Sequence, residues 1–327
     1  MRNLIPEFGL GREVNLVVSD VTASLDPAGR NDEETDEFEV SVPSPPELMM
    51  RRARRHVGFI MGGSVVFLVL ILAIFAPVLT PSDPYDQSLT ERLQPPVWQE
   101  KGSWERPFGT DALGRDYFTR VVFGARISLI IGFFAAAVSA VVGSTLGMIG
   151  GYFGGRTDAV VMYLINVKLA LPGLLVALAL VSVFGGSLIA LICILAFLFW
   201  DRYAVVTRSV TQQIRANDYI TAAQAVGASR FRIIVGEVLP NLMNQIIVIA
   251  SLEMAVAILV EAALSFLGLG VQPPTPSWGL LVSEGRSFMF FKPYLVTIPG
   301  LAIFFLVISI NMMGDGIRDI TAPEGRN

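Results

Sequence analysis

The chain of 327 residues contains one cysteine, Cys193, and one histidine, His56. A single cysteine cannot form an intrachain disulfide, and Cys193 lies within the apolar run LICIL at residues 191–195. Zinc, haem and iron–sulfur sites need several histidine or cysteine ligands, which this composition does not provide. The sequence therefore predicts neither a metal site nor a redox enzyme.

Lysine is also scarce: the chain has three, at positions 101, 168 and 292, and none follows a glycine. A phosphate-binding P-loop requires a lysine directly after a glycine, because the glycine backbone holds the phosphates and the lysine reaches their oxygens. A serine–histidine dyad at membrane depth is excluded too, since His56 precedes the first long apolar run. We predict no catalytic residue in this chain; if its function requires ATP hydrolysis, another polypeptide must supply the ATPase.

Charged residues make up only 16% of the chain, whereas hydrophobic residues make up 53%. Ordinary soluble domains contain about 25% charged residues. Several charge-free runs are long enough to cross a hydrocarbon core of about 30 Å as helices. The sequence therefore predicts an all-α polytopic membrane protein.

Residues 1–56 form a polar, acidic tail that ends in a basic cluster. Eleven of the 28 acidic residues lie in the first 47 positions, which predicts a mostly disordered segment. The cluster RRARRH at residues 51–56 directly precedes the first apolar run, and such clusters stay in the cytoplasm. The tail is therefore predicted to be cytoplasmic, and the first span to run outward.

Apolar runs and turn residues divide the rest of the chain into six predicted spans, at residues 57–82, 127–155, 157–183, 187–207, 239–267 and 293–314. An extracytoplasmic loop, residues 83–126, separates the first span from a five-helix core at residues 127–315. Pro172 is expected to kink the third span because it removes a backbone donor. Six spans return residues 316–327 to the cytoplasm.

Residues 208–237 form a predicted cytoplasmic loop. The segment DYITAAQA at residues 218–225 favours a short helix that Gly227 ends, because glycine adopts the left-handed cap conformation at little cost. A second short helix from Ser229 leads to Pro240 in the first turn of the next span. The small-residue ridge fits a groove on a partner, although composition alone also allows an ordinary interfacial loop packed on its own bundle.

Four further motifs surround this loop: RPFGTDALGRD at residues 106–116, EAALSFLGLG at 261–270, PPTPSWG at 273–279 and GDGIRD at 314–319. Together with TAA at residues 221–223, Gly227 and Leu239-Pro240, they resemble ABC-importer permeases, most closely the C-type subunit of the dipeptide/oligopeptide/nickel family. The resemblance covers residues 57–322 in family order. It implies a type I importer permease fold with six transmembrane helices and a cytoplasmic coupling helix, the EAA motif.

The same resemblance implies the partners of this chain. They are a homologous second permease, two ATP-binding subunits and an extracytoplasmic solute-binding protein, assembled in the bacterial inner membrane. ATP and Mg²⁺ are expected on the ATP-binding subunits, and no cofactor is expected in this chain. We also expect contact with membrane lipid and none with nucleic acid.

In the family, the coupling helix contacts the ATPase. The resemblance carries this role to Thr221, Ala222, Ala223, Gly227, Arg230 and Pro240. Thr221 stands where the family has a glutamate, which removes a charge that helps to hold the loop. The departure bears on the strength of the ATPase contact rather than on its location.

Three charged residues at membrane depth need an explanation: Lys168, Glu253 and Glu261. Each is a candidate for the translocation pathway or for gating, because a charge at this depth is costly unless it is paired or hydrated. Lys168 either contacts a substrate carboxylate or pairs with a carboxylate of this or the partner subunit. Glu261 belongs to a family motif, which favours a structural or gating role.

The function implied by the resemblance is ATP-driven, binding-protein-dependent import, with peptide as the expected solute. Nickel, opine-like compounds and oligosaccharides are alternatives within the same class. A secondary transporter driven by an ion gradient is the alternative from another class, since intramembrane charges and a kinked helix also occur there. Uptake with ATP but without an ion gradient separates the two classes.

Overall fold

The structure is a computed structural model that describes residues 45–80 and 82–321. Residues 1–44 of the tail predicted at residues 1–56, and the last six residues, 322–327, lie outside the described ranges. Regular structure in these ranges is helical, apart from an isolated β-bridge between Thr110 and Asp116. The α-helices are α1 (Pro45–Arg55), α2 (Val57–Ile74), α3 (Ala76–Leu79), α4 (Tyr117–Phe153), α5 (Gly155–Leu169), α6 (Gly173–Phe184), α7 (Leu188–Arg215), α8 (Asp218–Ala225), α9 (Arg230–Ile233), α10 (Leu239–Phe266), α11 (Trp278–Gly285) and α12 (Tyr294–Thr321).

Five helices in the described ranges are long and apolar enough to cross a membrane, and up to six if the bent pair α5 and α6 counts as one span. The five are α2, α4, α7, the continuous helix Arg230–Phe266 and α12. The expected all-α polytopic fold is therefore confirmed.

The third predicted span, residues 157–183, differs from the prediction of one kinked helix. It consists of α5 and α6, which are bent by 85° at the break between them. Pro172 is the N-cap of α6 rather than an internal helical residue. Proline lacks an amide hydrogen and disfavours the helical conformation of Leu171 before it, so α5 ends at Leu169 and a new helix begins.

Two predicted boundaries near the first loop are also wrong. Helix α2 ends at Ile74 rather than near residue 82, and Pro77 opens the short helix α3. Helix α4 begins at Tyr117 rather than at residue 127, because the Asp116 side chain caps it by accepting a hydrogen bond from the Thr119 amide at 3.0 Å. The loop is therefore shorter than predicted, and α4 includes two arginines.

Helices also extend further than predicted on both sides of the predicted cytoplasmic loop, residues 208–237, and near both ends of the described chain. Helix α7 continues to Arg215, and a π-helix at Ile234–Val238 joins α9 to α10 without a break. Residues 316–321, predicted to lie beyond the last span, belong to α12. Helix α1 occupies part of the segment that was expected to be disordered.

The tightest helix contact lies between α4 and α7. Gly143, Gly147 and Gly151 repeat every four residues and share one face of α4. A Cβ atom added at Gly143 would lie 2.1 Å from the Trp200 carbonyl oxygen, and one at Gly151 would lie 2.6 Å from the Arg208 carbonyl oxygen. These glycines let the two backbones touch, as small residues do where helices associate in lipid.

The first and last long helices, α2 and α12, also pack closely. A Cβ added at Gly62 would lie 2.5 Å from the Ser309 carbonyl oxygen. His56 caps α2 by accepting a hydrogen bond from the Phe59 amide, and its Nε2 lies 3.1 Å from an Asp319 carboxylate oxygen. The start of α2 and the end of α12 therefore lie at the same face of the bundle.

Candidate functional site

Helix α8 forms an exposed ridge at one end of the bundle. The side chains of Thr221 and Ala222 are exposed, and that of Ala223 is half-buried. Gly227 follows the helix with a φ of 83°, the left-handed conformation predicted for it, and no atom lies within 4 Å of a Cβ added there. The ridge therefore presents small side chains and open space to the surroundings.

The other two predicted residues of this segment, Arg230 and Pro240, lie on the continuous helix that follows. The Ser229 side chain caps α9 by accepting a hydrogen bond from the Arg232 amide at 3.3 Å. The guanidinium of Arg230 lies 5.7 Å from the ring centroid of Phe153, at the end of α4. Pro240 is exposed at the start of α10, directly after the π-helix, and as a proline it has no amide hydrogen to donate to the preceding turn.

The inner face of α8 packs against the bundle through buried Ile220 and half-buried Ala223. Ile220, on the inner face of α8, is fully buried and packs in a cluster with residues of α4, α7, α9 and α10, among them Tyr152, Ile214, Ile233 and Leu242. A groove of about 310 Å³ opens next to Gly227. Helix α8 is therefore packed against the ends of three long helices.

Lys168, the first of the predicted intramembrane charges, forms an ion pair with Asp201 of α7. Asp201 is buried, whereas Lys168 is half-buried at the end of α5, just before the break. The sequence left two interpretations of Lys168 open, a substrate contact and a structural ion pair. The structure contains an ion pair within the chain, as the second interpretation requires. Sequence reasoning missed Asp201 because it treated residues 187–207 as a span without considering its charges.

Glu253 of α10 is buried and accepts a hydrogen bond from Arg202 of α7 at 2.8 Å. Arg202 also fell within the predicted span at residues 187–207, and its charge was not considered there. The structure places it in the middle of α7, next to Asp201. The adjacent Asp and Arg in an apolar run were the signal that could have identified both pairs.

Glu261 has no cation partner among the described residues. It is fully buried and accepts hydrogen bonds from the Ser265 hydroxyl at 2.7 Å and from the Ser277 hydroxyl at 2.9 Å. Ser277 also caps α11, and a Cβ added at Gly279 would lie 3.2 Å from Glu261 Oε2. Glu261 thus joins α10 to the start of α11. It is not part of the ion pairs that Asp201 and Arg202 of α7 form.

Another cluster of charged side chains, which was not predicted, lies near the start of α4, at the end of that helix away from α8. Arg120, fully buried, contacts Asp111 at 2.5 Å and Glu284 at 2.9 Å. Arg115 contacts the same carboxylates at 2.6 Å and 3.1 Å. Burial alone would raise the pKa of Asp111, but the charges of Arg120 and Arg115 outweigh it and hold that pKa below its usual value. The network ties the RPFGTDALGRD segment to α4 and α11.

No group of three or more histidine, cysteine, aspartate or glutamate side chains within residues 45–80 and 82–321 has the geometry to hold a metal ion. Several buried carboxylates of these ranges are instead paired with a cation. Such an arrangement supplies binding and positioning groups.

Comparison with known proteins gives two family matches. Residues 143–326 match the family described as binding-protein-dependent transport system inner membrane component. Residues 44–96 match the N-terminal transmembrane domain of oligopeptide transport permease C. Together these matches include the exposed ridge, the charge pairs and both chain-terminal helices of the bundle.

Several curated proteins are similar over most of their length. The di/tripeptide transport system permease protein DppC of Pseudomonas aeruginosa is 39% identical over 87% of this chain and 94% of its own. The dipeptide permease DppC of Haemophilus influenzae is 38% identical over 83% and 92%. The glutathione permease GsiD of Pectobacterium atrosepticum is 36% identical over 85% and 90%.

A solved structure of the MetNI methionine ABC transporter in an inward-facing conformation has a TM-score of 0.49 and 16% identity, over 62% of this chain and 97% of that chain. The family assignment depends on the sequence matches, in which one family model alone covers more than half of the chain. The chain therefore belongs to the family of binding-protein-dependent transport system inner membrane components and is a membrane permease.

Proposed function

We propose that this chain is one of two transmembrane permease subunits of an ATP-driven, binding-protein-dependent importer of short peptides. The supporting observation is the similarity, along more than four fifths of the chain, to permeases named for dipeptides, di/tripeptides and glutathione. All three solutes are short peptides. In this proposal a homologous second permease supplies the other half of the pathway.

ATP and Mg²⁺ would bind to two partner ATPase subunits, and a solute-binding protein would deliver the peptide from outside. We place both chain ends in the cytoplasm of a bacterial inner-membrane assembly. The basic cluster at residues 51–56 supports this orientation, because arginines beside a first span are retained inside. The contact of His56 with Asp319 supports the same side for the end of α12.

The ridge on α8 is the proposed contact with the ATPase, through Thr221, Ala222, Ala223 and Gly227. Closure of the ATPase dimer on ATP would displace α8 and, through Ile220, the ends of α4, α7 and α10. Such a displacement of a packed helix is a common element of switching between two states. Arg230 and Pro240 would lie beside the contact and connect it to α10.

Lys168 and Glu253 are proposed to belong to the wall of the translocation pathway, since each forms a charge pair with α7 at membrane depth. Glu261 is proposed to position α11 against α10 through its two serine partners. Specificity among solutes would then depend mainly on the binding protein and on the charged part of this wall.

Reconstitution tests the proposal. The complete assembly in proteoliposomes, with ATP and without an ion gradient, should take up a labelled dipeptide, and omission of the ATPases or of the binding protein should abolish uptake. Uptake by this chain alone, or uptake that requires a proton or sodium gradient rather than ATP, would support a secondary transporter instead.

Solute competition separates the members of the importer class. Excess unlabelled dipeptide should suppress uptake, whereas nickel, an opine-like compound and an oligosaccharide should leave it unchanged. The same four compounds can be tested for thermal stabilisation of the cognate binding protein. Stabilisation by a compound other than the peptide would assign a different solute.

A further inference from the structure

The two ion pairs on α7 share one arrangement, in which the carboxylate is buried and the cation points outward. The side chains of Asp201 and Glu253 are each 2% exposed, whereas Lys168 is 20% and Arg202 is 56% exposed. Glu253 also lies within electrostatic reach of Asp201 and Lys168, so the four residues form one cluster. The cluster has no net charge, but its exposed surface is cationic.

Arg202 lies at membrane depth. It is fourteen residues after Leu188, the first residue of α7, or about 21 Å along the helix axis. A hydrocarbon core of about 30 Å that begins near Leu188 therefore includes it. A guanidinium exposed at that depth needs water or a polar partner, because direct contact with lipid chains is costly.

The two exposed faces of α7 differ in chemistry. Cys193 lies nine residues before Arg202, so the two side chains project 180° apart at 100° per residue. Cys193 lines a groove of about 340 Å³ whose other side chains are all apolar, including Phe184 and Phe197. Arg202 shares its side of α7 with exposed Val205, three residues further on, and with exposed Ser209, seven residues further on, so this face is polar in part. The Cys193 face suits lipid, and the Arg202 face suits an aqueous pathway.

The Arg202 guanidinium retains binding capacity. Its hydrogen bond to Glu253 uses one of its five N–H donors, and within the described residues no other hydrogen bond of this side chain is formed. The buried carboxylate fixes the position of the guanidinium, whose planar fork can bind a second carboxylate through two parallel hydrogen bonds. The Arg202 side chain is thus held in place by Glu253 and still has N–H donors available, so it is suited to bind an anionic ligand.

We propose that Arg202 binds the terminal carboxylate of the peptide as it crosses the membrane, with Lys168 as a second, weaker cation and Glu253 as the residue that positions Arg202. This proposal rests on the proposed peptide importer function. The terminal carboxylate is common to all peptides, so a pathway that binds it accepts different side chains. Arg202 is then a specificity-determining residue of the permease itself.

Thiol accessibility tests whether Arg202 faces water. In a Cys193→Ser background, Arg202→Cys carries the single thiol of the chain. A membrane-impermeant, sulfonate-bearing methanethiosulfonate reagent should modify it in vesicles of the complete transporter, from one side or the other, and excess dipeptide should slow the reaction. Cys193 of the unsubstituted chain, on the opposite face, is the matched control and should not react. An unreactive Arg202→Cys thiol in both vesicle orientations would overturn the proposal.

Transport selectivity tests the ligand. In proteoliposomes with the same binding protein, the ratio of uptake of a dipeptide to that of its C-terminal amide should fall about tenfold in Arg202→Gln, because a charge-assisted hydrogen bond is lost. Arg202→Lys should keep part of the preference. Arg208→Gln, six residues further along α7 at an arginine paired with Asp158, is the control and should keep the ratio.

The possible failures are distinguishable. An unchanged ratio in Arg202→Gln would overturn the proposal, and loss of assembly with the second permease would also overturn it, by assigning Arg202 to the subunit interface. If the unsubstituted transporter imports neither the peptide nor the amide with ATP, the proposed function fails. The thiol experiment then still reports whether Arg202 faces an aqueous pathway.

Discussion

Replacing Gly143 with alanine should weaken the contact between α4 and α7. The added Cβ would lie 2.1 Å from the Trp200 carbonyl oxygen, whereas ordinary contact begins near 3.4 Å. The obstructing atom belongs to the backbone and cannot rotate away, so the two helices must separate by roughly 1 Å in a closely packed interface. Trp200 directly precedes Asp201, so the separation would also displace the two charge pairs.

The expected magnitude is the balance of two opposing terms. Alanine in a helix interior is more favourable than glycine by about 1 kcal/mol. Overpacking a close contact costs about 1–3 kcal/mol, and occasionally more. At Gly143 the second term dominates and gives a net loss of up to about 2 kcal/mol. At Gly63 on α2 no atom lies within 4 Å of an added Cβ, so the same substitution should be neutral or stabilising.

Thermal unfolding of the purified assembly in detergent measures this difference. Gly143→Ala should lower the unfolding midpoint by several degrees, at roughly 2–4 °C per kcal/mol for a chain of about this size. Gly63→Ala should leave the midpoint unchanged or raise it, and both variants should insert normally. Equal shifts in the two variants, or a rise in Gly143→Ala, would refute the argument from close backbone contact.

Three further predictions concern the charged residues and the α8 ridge. Lys168→Met should reduce assembly, because it leaves the Asp201 carboxylate buried without a cation, and adding Asp201→Leu should restore much of the assembled yield; no rescue would exclude the pair as the cause. Asp111 has a lowered pKa in the folded protein, so its contribution to stability is complete above about pH 4 and is lost as the pH falls further. Thermal midpoints between pH 5 and pH 3 should show this loss, and Asp111→Asn should flatten it. Gly227→Val should abolish ATP-dependent uptake without changing insertion, because a β-branched residue is strained at a φ of 83° and fills the open space beside α8, whereas Gly63→Val should transport normally.

The sequence was sufficient for the parts of the fold that depend on local composition. Charge-free runs predicted the long helices, and Gly227 and Ser229 predicted the end of α8 and the start of α9. The exposure of the ridge also followed from its small side chains. Each of these features is determined by residues within one or two helical turns.

Features that depend on distant partners were not predictable in this way. Arg120 was assigned to a loop because a charge normally ends a span, yet Glu284, far along the chain, pairs with it and allows α4 to begin at Tyr117. Arg202 fell within the predicted span at residues 187–207, and its partner Glu253 lies on α10, about fifty positions further along the chain. In both cases the local sequence shows that placing the arginine within a span is energetically unfavourable, but it does not identify the carboxylate that pairs with it.

The position of these partners suggests how the α8 ridge and the pathway are linked. Helix α7 carries Asp201 and Arg202 in its middle and ends at Arg215, and α8 begins after a short turn, at Asp218. The glycine face of α4 contacts α7 on both sides of the charged residues, at Trp200 and at Arg208. We expect a helix held in this way to move as a rigid element rather than to bend locally. In the proposed importer, a displacement of α8 would therefore reposition Arg202 relative to the proposed second permease, and closure of the proposed ATPase subunits would change the affinity of the pathway for the peptide carboxylate as well as its access.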